Sequence, residues 1–433
     1  MKAMIRNKFA HAFLALAMVF GMMFMFETDA SAATPAPTGV KQISAGESSV
    51  EIGWDAVFGD NMWYYWRISD NSAFTSFRSD EENSIRSSDC KVNIYGLQAG
   101  KTYYVQVGTS ATHDYDAAPA DTTWSQVIEV LTVPDEVVSE SILFTDATET
   151  SVSVAWTPVE GATHYTVNYW RSGENEDTCS STVVTTAAAV LTGLAQNTEY
   201  TISVYPYRTN GVFTAKQDWG RRIFNVPTLP TKVTGLDCTY FNPYTKKGNI
   251  TLDWDKNPVA DGYKYEIYKY NGKKPLITGT YSSDWSSVDN SKLKTNQVYR
   301  VRVCGYVCTT DNQMKYGQWS DCDYISRCVA TGTKLKKVSG NKIKASWKKV
   351  QGATGYNVYI ASKSDGKYKK VGSTKKTNYT FKRNMNKSGY VYVRILPYYK
   401  KGKKTYPATV NAKYQHSAYA HYYSSGRIYT YDY

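Results

Sequence analysis

Lysine is the residue whose abundance and spacing could do chemistry in this chain. Between Ala330 and Tyr433 stand 23 Lys and Arg against two acids, Asp365 and Asp432, a net of +21. Two groups lie at close spacing: Lys334, Lys336, Lys342, Lys344 and Lys348, then Lys400, Lys401, Lys403 and Lys404 in the run KKGKK. Ammonium groups this dense repel one another and destabilise a compact domain unless an anion neutralises them. They point to binding of an anionic polymer or surface, each lysine contributing about 1 kcal/mol, screened over about 8 Å at physiological salt. A solvated face that guards an edge strand is the plainer alternative.

Groups that make and break bonds are scarce. Past the first 33 residues stand four histidines, His113, His164, His416 and His421, and only His113 adjoins a carboxylate, Asp114. No nucleophile elbow, phosphate-binding glycine loop, HExxH pair or nucleophilic cysteine context occurs. No catalytic residue, cofactor or enzyme activity is therefore expected. Asp114, Asp116 and Asp121 crowd one loop and could offer oxygen ligands to calcium, but they lack the alternate spacing, central glycine and closing glutamate of a calcium loop. No metal site is expected.

Of seven cysteines, five (Cys238, Cys304, Cys308, Cys322 and Cys328) fall within one stretch, while Cys90 and Cys179 stand alone. The clustering favours one or two local disulfides, with Cys308–Cys322 closing a hairpin and Cys238–Cys328 joining first and last strands as candidate pairs. The spacings are not those of paired zinc knuckles.

The elements that must position these groups repeat. Trp54, Trp156, Trp254 and Trp347 are separated by 102, 98 and 93 residues, and nine residues after each comes an aromatic: Trp63, Tyr165, Tyr263 and Tyr356. A fixed offset implies the same two strands and the same turn four times. Val152, Val154 and Trp156 alternate with polar residues, as do Tyr165, Val167 and Tyr169, which is the period of a half-buried strand. Leu97 to Tyr103, Leu194 to Tyr200 and Leu293 to Tyr299 each span six residues. With its tryptophan near the second strand and this Leu-x5-Tyr corner, the chain resembles a tandem array of fibronectin type III domains. The resemblance implies an all-β chain of four immunoglobulin-like sandwiches used for binding or spacing. The fourth copy departs from it, placing Val391 and Met385 where the second has Tyr200 and Leu194.

The expected organisation is a leader over 1–33, domains over 34–133, 134–230, 231–329 and 330–413, and a tyrosine-rich tail over 414–433 that is either loose or a strand added to domain four. Lys2, Arg6 and Lys8, the apolar run Phe13 to Phe26 and the small residues Ala30 to Ala33 have the layout of a secretory signal, one that suits a Gram-positive bacterium. A secreted or cell-surface protein with no membrane span after cleavage follows. Prolines at Pro134 and in VPTLP, 226–230, predict stiff junctions, whereas the third junction has none and is expected to bend more. The net charges of the first three domains, −7, −6 and +4, leave the basic character to the fourth.

Strand alternation turns Tyr64, Trp66, Trp170, Tyr268, Tyr270 and Tyr359 outward, and of these Trp66, Trp170, Tyr268 and Tyr270 are candidates for stacking on sugars. Such rings also cross-pair or pack on the next domain. The expected function is a non-catalytic adhesive or spacer protein whose fourth domain binds an anionic cell-wall polymer or acidic glycan. A carbohydrate-binding accessory module and a passive spacer are the alternatives. Nucleic acid is a less natural partner outside the cell, and another extracellular protein is a further one. No RGD tripeptide occurs.

Overall fold

The computed structural model describes residues 34–432 apart from 59–61, 80–84, 87–89, 115–116, 242–247, 291, 295, 327–329 and 409–415. The leader, Asp116 and Cys328 lie outside the described residues. Apart from two single-turn 3₁₀ segments, Ser139–Ser141 and Glu176–Thr178, the regular elements are strands. They build four sandwiches, each pairing a three-stranded sheet with a larger one. The chain forms two compact units, one holding the first sandwich and the other holding the remaining three.

The second sandwich shows the plan. Leu143–Ala147, Ser151–Ala155 and Ala188–Thr192 make the small antiparallel sheet. His164–Arg171 lies between Ser180–Val184 and the long strand Glu199–Thr209, which carries Thr214–Lys216 and Arg221–Pro227 on its far side. Inward residues of both sheets, among them Val152, Val154, Trp156, Val167, Ile202 and Val204, form one core, as alternation dictates.

One tyrosine contact recurs in all four copies, and a second is seen in the second and third. Tyr64, Tyr165, Tyr263 and Tyr356 lie with ring centroids 5.2, 5.2, 5.3 and 5.2 Å from Trp54, Trp156, Trp254 and Trp347. Each hydroxyl accepts the backbone N–H three residues after its tryptophan, from Val57, Val159, Asn257 and Val350 at 2.7 to 2.9 Å. The bond closes the turn between the two strands, because this N–H has no strand partner. In the first copy the packed residue is Tyr64, not Trp63, since the connection is one residue longer there. The corner tyrosines Tyr200 and Tyr299 accept N–H groups from Ala195 at 2.9 Å and Lys294 at 2.5 Å. Val391 and Met385, their counterparts in the fourth copy, are buried without that bond.

The fourth sandwich comprises β1 (Lys334–Val338), β2 (Lys342–Ser346), β3 (Gly355–Ala361), β4 (Lys369–Thr374), β5 (Asn378–Lys382), β6 (Gly389–Lys401), β7 (Lys404–Pro407), β8 (Ala418–Tyr422) and β9 (Ile428–Asp432). The small sheet runs β1-β2-β5 and the large one β4-β3-β6-β8-β9, with β7 also on β6. Of the two alternatives for the tyrosine-rich tail, the structure shows the added strand: the described residues of the segment form β8 and β9 of this domain. Ser417 marks the register: its hydroxyl accepts the Ile395 N–H at 3.0 Å, as Ser125 accepts from Val107 and Ser320 from Val303 in the first and third copies. β8 is therefore the last strand of the ordinary fold, and β9 is an addition. Ala418, Ala420 and Tyr422 belong to the core, with Ile428 packed against it.

The junction expected to bend is clasped. Val298 N–H donates to the Gln351 carbonyl and Gln351 N–H to the Asn296 carbonyl, both at 2.8 Å. Tyr324 of the third domain stacks on Tyr399 of the fourth at 4.2 Å. The second and third domains are also joined: Thr310 N–H donates to the Phe144 carbonyl at 2.9 Å, and Phe144 N–H to the Thr310 hydroxyl at 2.8 Å. Val307 of the third domain is buried in the core of the second.

The expected Cys308–Cys322 bridge does not form; both are free thiols. Asp323 pairs with Val301, near one end of Tyr299–Cys308, and Cys308 is at the other end. About 20 Å of strand therefore separates the two cysteines, well past disulfide reach. Cys238 is buried in the third core, and its proposed partner Cys328 lies outside the described residues.

Candidate polymer-binding faces of the fourth domain

Strand alternation sorts the lysines. On β1 and β2, Leu335, Ile343 and Ala345 are buried, and Lys334, Lys336, Lys342 and Lys344 are exposed. Antiparallel register sets Lys336 opposite Lys344, and Lys342 opposite Lys382 of β5. Directly opposed side chains sit about 5 Å apart at Cβ, so like charges there are destabilising. Lys334, Lys336, Lys344 and Lys348 line a shallow open depression of 460 Å³ with Ser346 and Asn378. Among the described residues none of these lysines is ion-paired with a carboxylate. Lys337 is the exception on β1: its amine donates to the Gly426 carbonyl at 3.0 Å in the β8–β9 turn.

The second lysine group is held apart from the first, on the hairpin β6–β7, where Gly402 takes φ +57° at the tip. The amine of Lys401 lies 5.6 Å over the Tyr324 ring and that of Lys404 4.8 Å over Tyr406. A hydrogen bond and electrostatic attraction from Tyr324 hold Lys401 above the ordinary lysine range. Asp321 is held low by its hydrogen bond and ion pair with Lys232, assisted by Lys404 and Lys401. Two of the four KKGKK lysines, Lys401 and Lys404, therefore serve the junction with the third domain, although all four are exposed.

The aromatic candidates are placed differently from expectation. Trp66 is buried, because the extra residue before Tyr64 shifts the register and turns Tyr64, Trp66 and Ile68 inward. Trp170 is buried under Arg222, whose guanidinium lies 5.5 Å over its ring and pairs with Glu176. Tyr268 is buried between Arg300 and Arg302, at 4.4 and 5.3 Å. Burial raises the Glu266 carboxyl, but hydrogen bonds from Tyr268 and Arg302 outweigh it and hold the group below the usual carboxylate range. Cations recruited from neighbouring strands cover these outer faces. Tyr270 is half-buried against the fourth domain, where Gly352, at φ +87°, brings its backbone so close that a Cβ would lie 2.6 Å from the ring. Tyr359 is half-buried.

Single exposed rings such as Trp219 and Tyr95 are scattered over the other domains, but rings exposed in aligned rows lie on the outer face of the large sheet of domain four. Register sets Tyr392 opposite Tyr419 and Tyr419 opposite Tyr431, and sets Tyr390 opposite His421 and His421 opposite Tyr429. The first row stacks at 5.3 and 4.7 Å, within 18° of parallel, and Tyr390 stacks on His421 at 4.4 Å. Tyr390, Tyr429 and Tyr431 are 45, 52 and 47% exposed. Alternation in GYVYV, AYAHY and IYTY carries this signal in the sequence, but it gains meaning only when those segments share a sheet.

The His113 ring lies 3.8 Å from that of Trp63, tilted by 40°. The Asp121 carboxylate accepts from the hydroxyls of Ser110 and Thr112. Among the described residues no group of three or more metal-ligating side chains occurs, and no helix is long and apolar enough to cross a membrane.

Comparison with known proteins follows this geometry. Residues 138–217 match the fibronectin type III domain family. The chain is 25% identical over 219 residues to fibronectin type III domain-containing protein 7 of Mus musculus, covering 49% of this chain and 27% of that protein's length. Among solved structures it is similar to the chicken CNTN1 FN1–FN3 domains (TM-score 0.29, 15% identity, 68% of this chain and 98% of that one). A two-domain fibronectin type III segment of chicken tenascin gives TM-score 0.25 at 17% identity, over 44% of this chain and 98% of that one. Residues 138–217 thus carry a fibronectin type III domain match, and the four sandwiches with their repeated tryptophan–tyrosine contacts give the chain a tandem β-sandwich fold of that type.

Proposed function

We propose that this is a non-catalytic secreted spacer and adhesive protein whose fourth domain holds an anionic cell-wall polymer or acidic glycan on its small lysine-covered sheet. The observation that carries the reading is the pairing of Lys336 with Lys344 and of Lys342 with Lys382. A sheet that sets like charges opposite each other, with no described carboxylate ion-paired to them, gains stability when a polyanion lies across it. Lys334 and Lys348 widen that surface, and Lys400 and Lys403 add a second basic point at the hairpin tip. Fibronectin type III sandwiches have no chemistry of their own and serve as contact surfaces and spacers. The leader-like N-terminus fits export, and a Gram-positive wall offers the polyanion.

The test is retention of the full exported chain on teichoic acid-bearing cell walls across a salt gradient, with Lys336→Glu/Lys344→Glu alongside. Retention is expected at low salt, to fall away by about 0.5 M salt and to be lost in the double variant. Retention indifferent to both sinks the reading, and no retention at all leaves a plain spacer.

A further inference from the structure

We propose that the tyrosine–histidine face of the large sheet in domain four is a second binding site, and that it takes the sugar residues of an acidic polysaccharide. The site lies on the sheet opposite the lysine face. It deepens the preceding reading by naming the class of polymer, and so rests on it.

Three observations select this occupant. The rows Tyr392–Tyr419–Tyr431 and Tyr390–His421–Tyr429 cross β6, β8 and β9, so successive rings step by the strand spacing of about 4.8 Å. That step is comparable with the length of one sugar residue. Secondly, the inner rings stack on one another and turn their edges to solvent. The hydroxyls of Tyr419, Tyr429 and Tyr431 bond to no protein group among the described residues. A nucleic acid base needs an open ring face, which the inner rings lack, whereas a sugar chain can use a line of phenolic hydroxyls. It can also rest one ring on Tyr431, whose strand ends the sheet. Thirdly, the surrounding charge is positive. Arg394 lies 3.9 Å over the Tyr368 ring on the same face as Tyr392, Lys370 is exposed opposite Tyr359, and Arg427 is exposed in alternation with Tyr429. Charge complementarity asks for carboxylates or sulfates on the sugar rather than a neutral glucan.

β9 lies outside the ordinary fold and supplies Tyr429 and Tyr431, the two most exposed rings of the rows. Its sequence, IYTY, places a ring at each outward position, whereas an edge strand is usually guarded by charge.

The experiment measures binding of the full exported chain to a linear polyuronate, to polyphosphate and to a neutral glucan, at low and at about 0.5 M salt. Wild type is expected to keep the polyuronate at high salt while releasing polyphosphate and ignoring the glucan. Tyr429→Ala/Tyr431→Ala is expected to weaken polyuronate binding at high salt at least tenfold, with polyphosphate binding at low salt unchanged. Tyr419→Phe/Tyr431→Phe, which keeps the stack and removes hydroxyls, guards against a folding defect and should weaken it several-fold. Equal retention of polyuronate and polyphosphate, or unchanged binding in the Phe pair, overturns the proposal. Failure of the lysine-face reading shows separately, as low-salt polyphosphate binding that survives Lys336→Glu/Lys344→Glu.

Discussion

The Val350 N–H donates to the hydroxyl of Tyr356 at 2.9 Å, with both residues buried beside Trp347. Three other copies make the same bond, so it belongs to the repeat rather than to one domain. Tyr356→Phe leaves a buried N–H unpaired, at a cost of about 1–3 kcal/mol. Thermal melting should show this as an earlier transition of the fourth domain. That domain has no corner tyrosine in reserve, Val391 standing in its place.

Deletion of residues 416–432 is expected to unfold the fourth domain. It removes β8, takes Ala418, Ala420 and Tyr422 out of the core, and leaves the Ile395 N–H without Ser417. Limited proteolysis checks this: cleavage between 334 and 407 should become rapid, while the second and third domains stay resistant.

The array was legible in the sequence because it is written in large residues at a constant interval. Trp54, Trp156, Trp254 and Trp347 mark the second strands, and the corner tyrosines mark the long strand of the larger sheet in the first three copies. The exposure of the rings was not legible. Alternation assigns Trp170 and Tyr268 to the outer face, but it cannot show that Arg222, Arg300 and Arg302 arrive from other strands to cover them. Trp66 failed for a different reason, a single added residue that inverts the register. The rows in domain four were hidden because the segment around Ser417 reaches its place through a long connection, and three short alternating segments become a surface only once paired.

Asp323 offers a test by pH. Burial pushes its carboxyl up, the Asp237 charge adds to this, and the Tyr324 backbone and Lys404 only partly offset it. A folded value above the unfolded one, about 3.9, means the ionised group destabilises the fold. The penalty is absent below about pH 4 and complete once pH exceeds the folded value. Asp323→Asn should therefore raise the melting temperature at pH 7, with a gain that fades as pH falls toward 4.

Val307→Ala is expected to destabilise the second domain from a position in the third. The side chain is fully buried in the second core, and deleting two methyl groups there costs about 1–3 kcal/mol. Hydrogen exchange at Val152 and Val154 should quicken in the variant, and protection unchanged there would show that the two domains melt independently.

The bond pair between Thr310 and Phe144 has a consequence for how the chain avoids sticking to itself. Leu143–Ala147 is the rim of its sheet, and an unpaired rim is a template on which a foreign strand can grow. Thr310 occupies that rim from within the same molecule. Until the third domain has folded, the second has its strands in place but lacks Val307 in its core and Thr310 at its rim. Crowded newly made chains are most exposed to fibre-like association in that interval, and a Thr310 variant would prolong it.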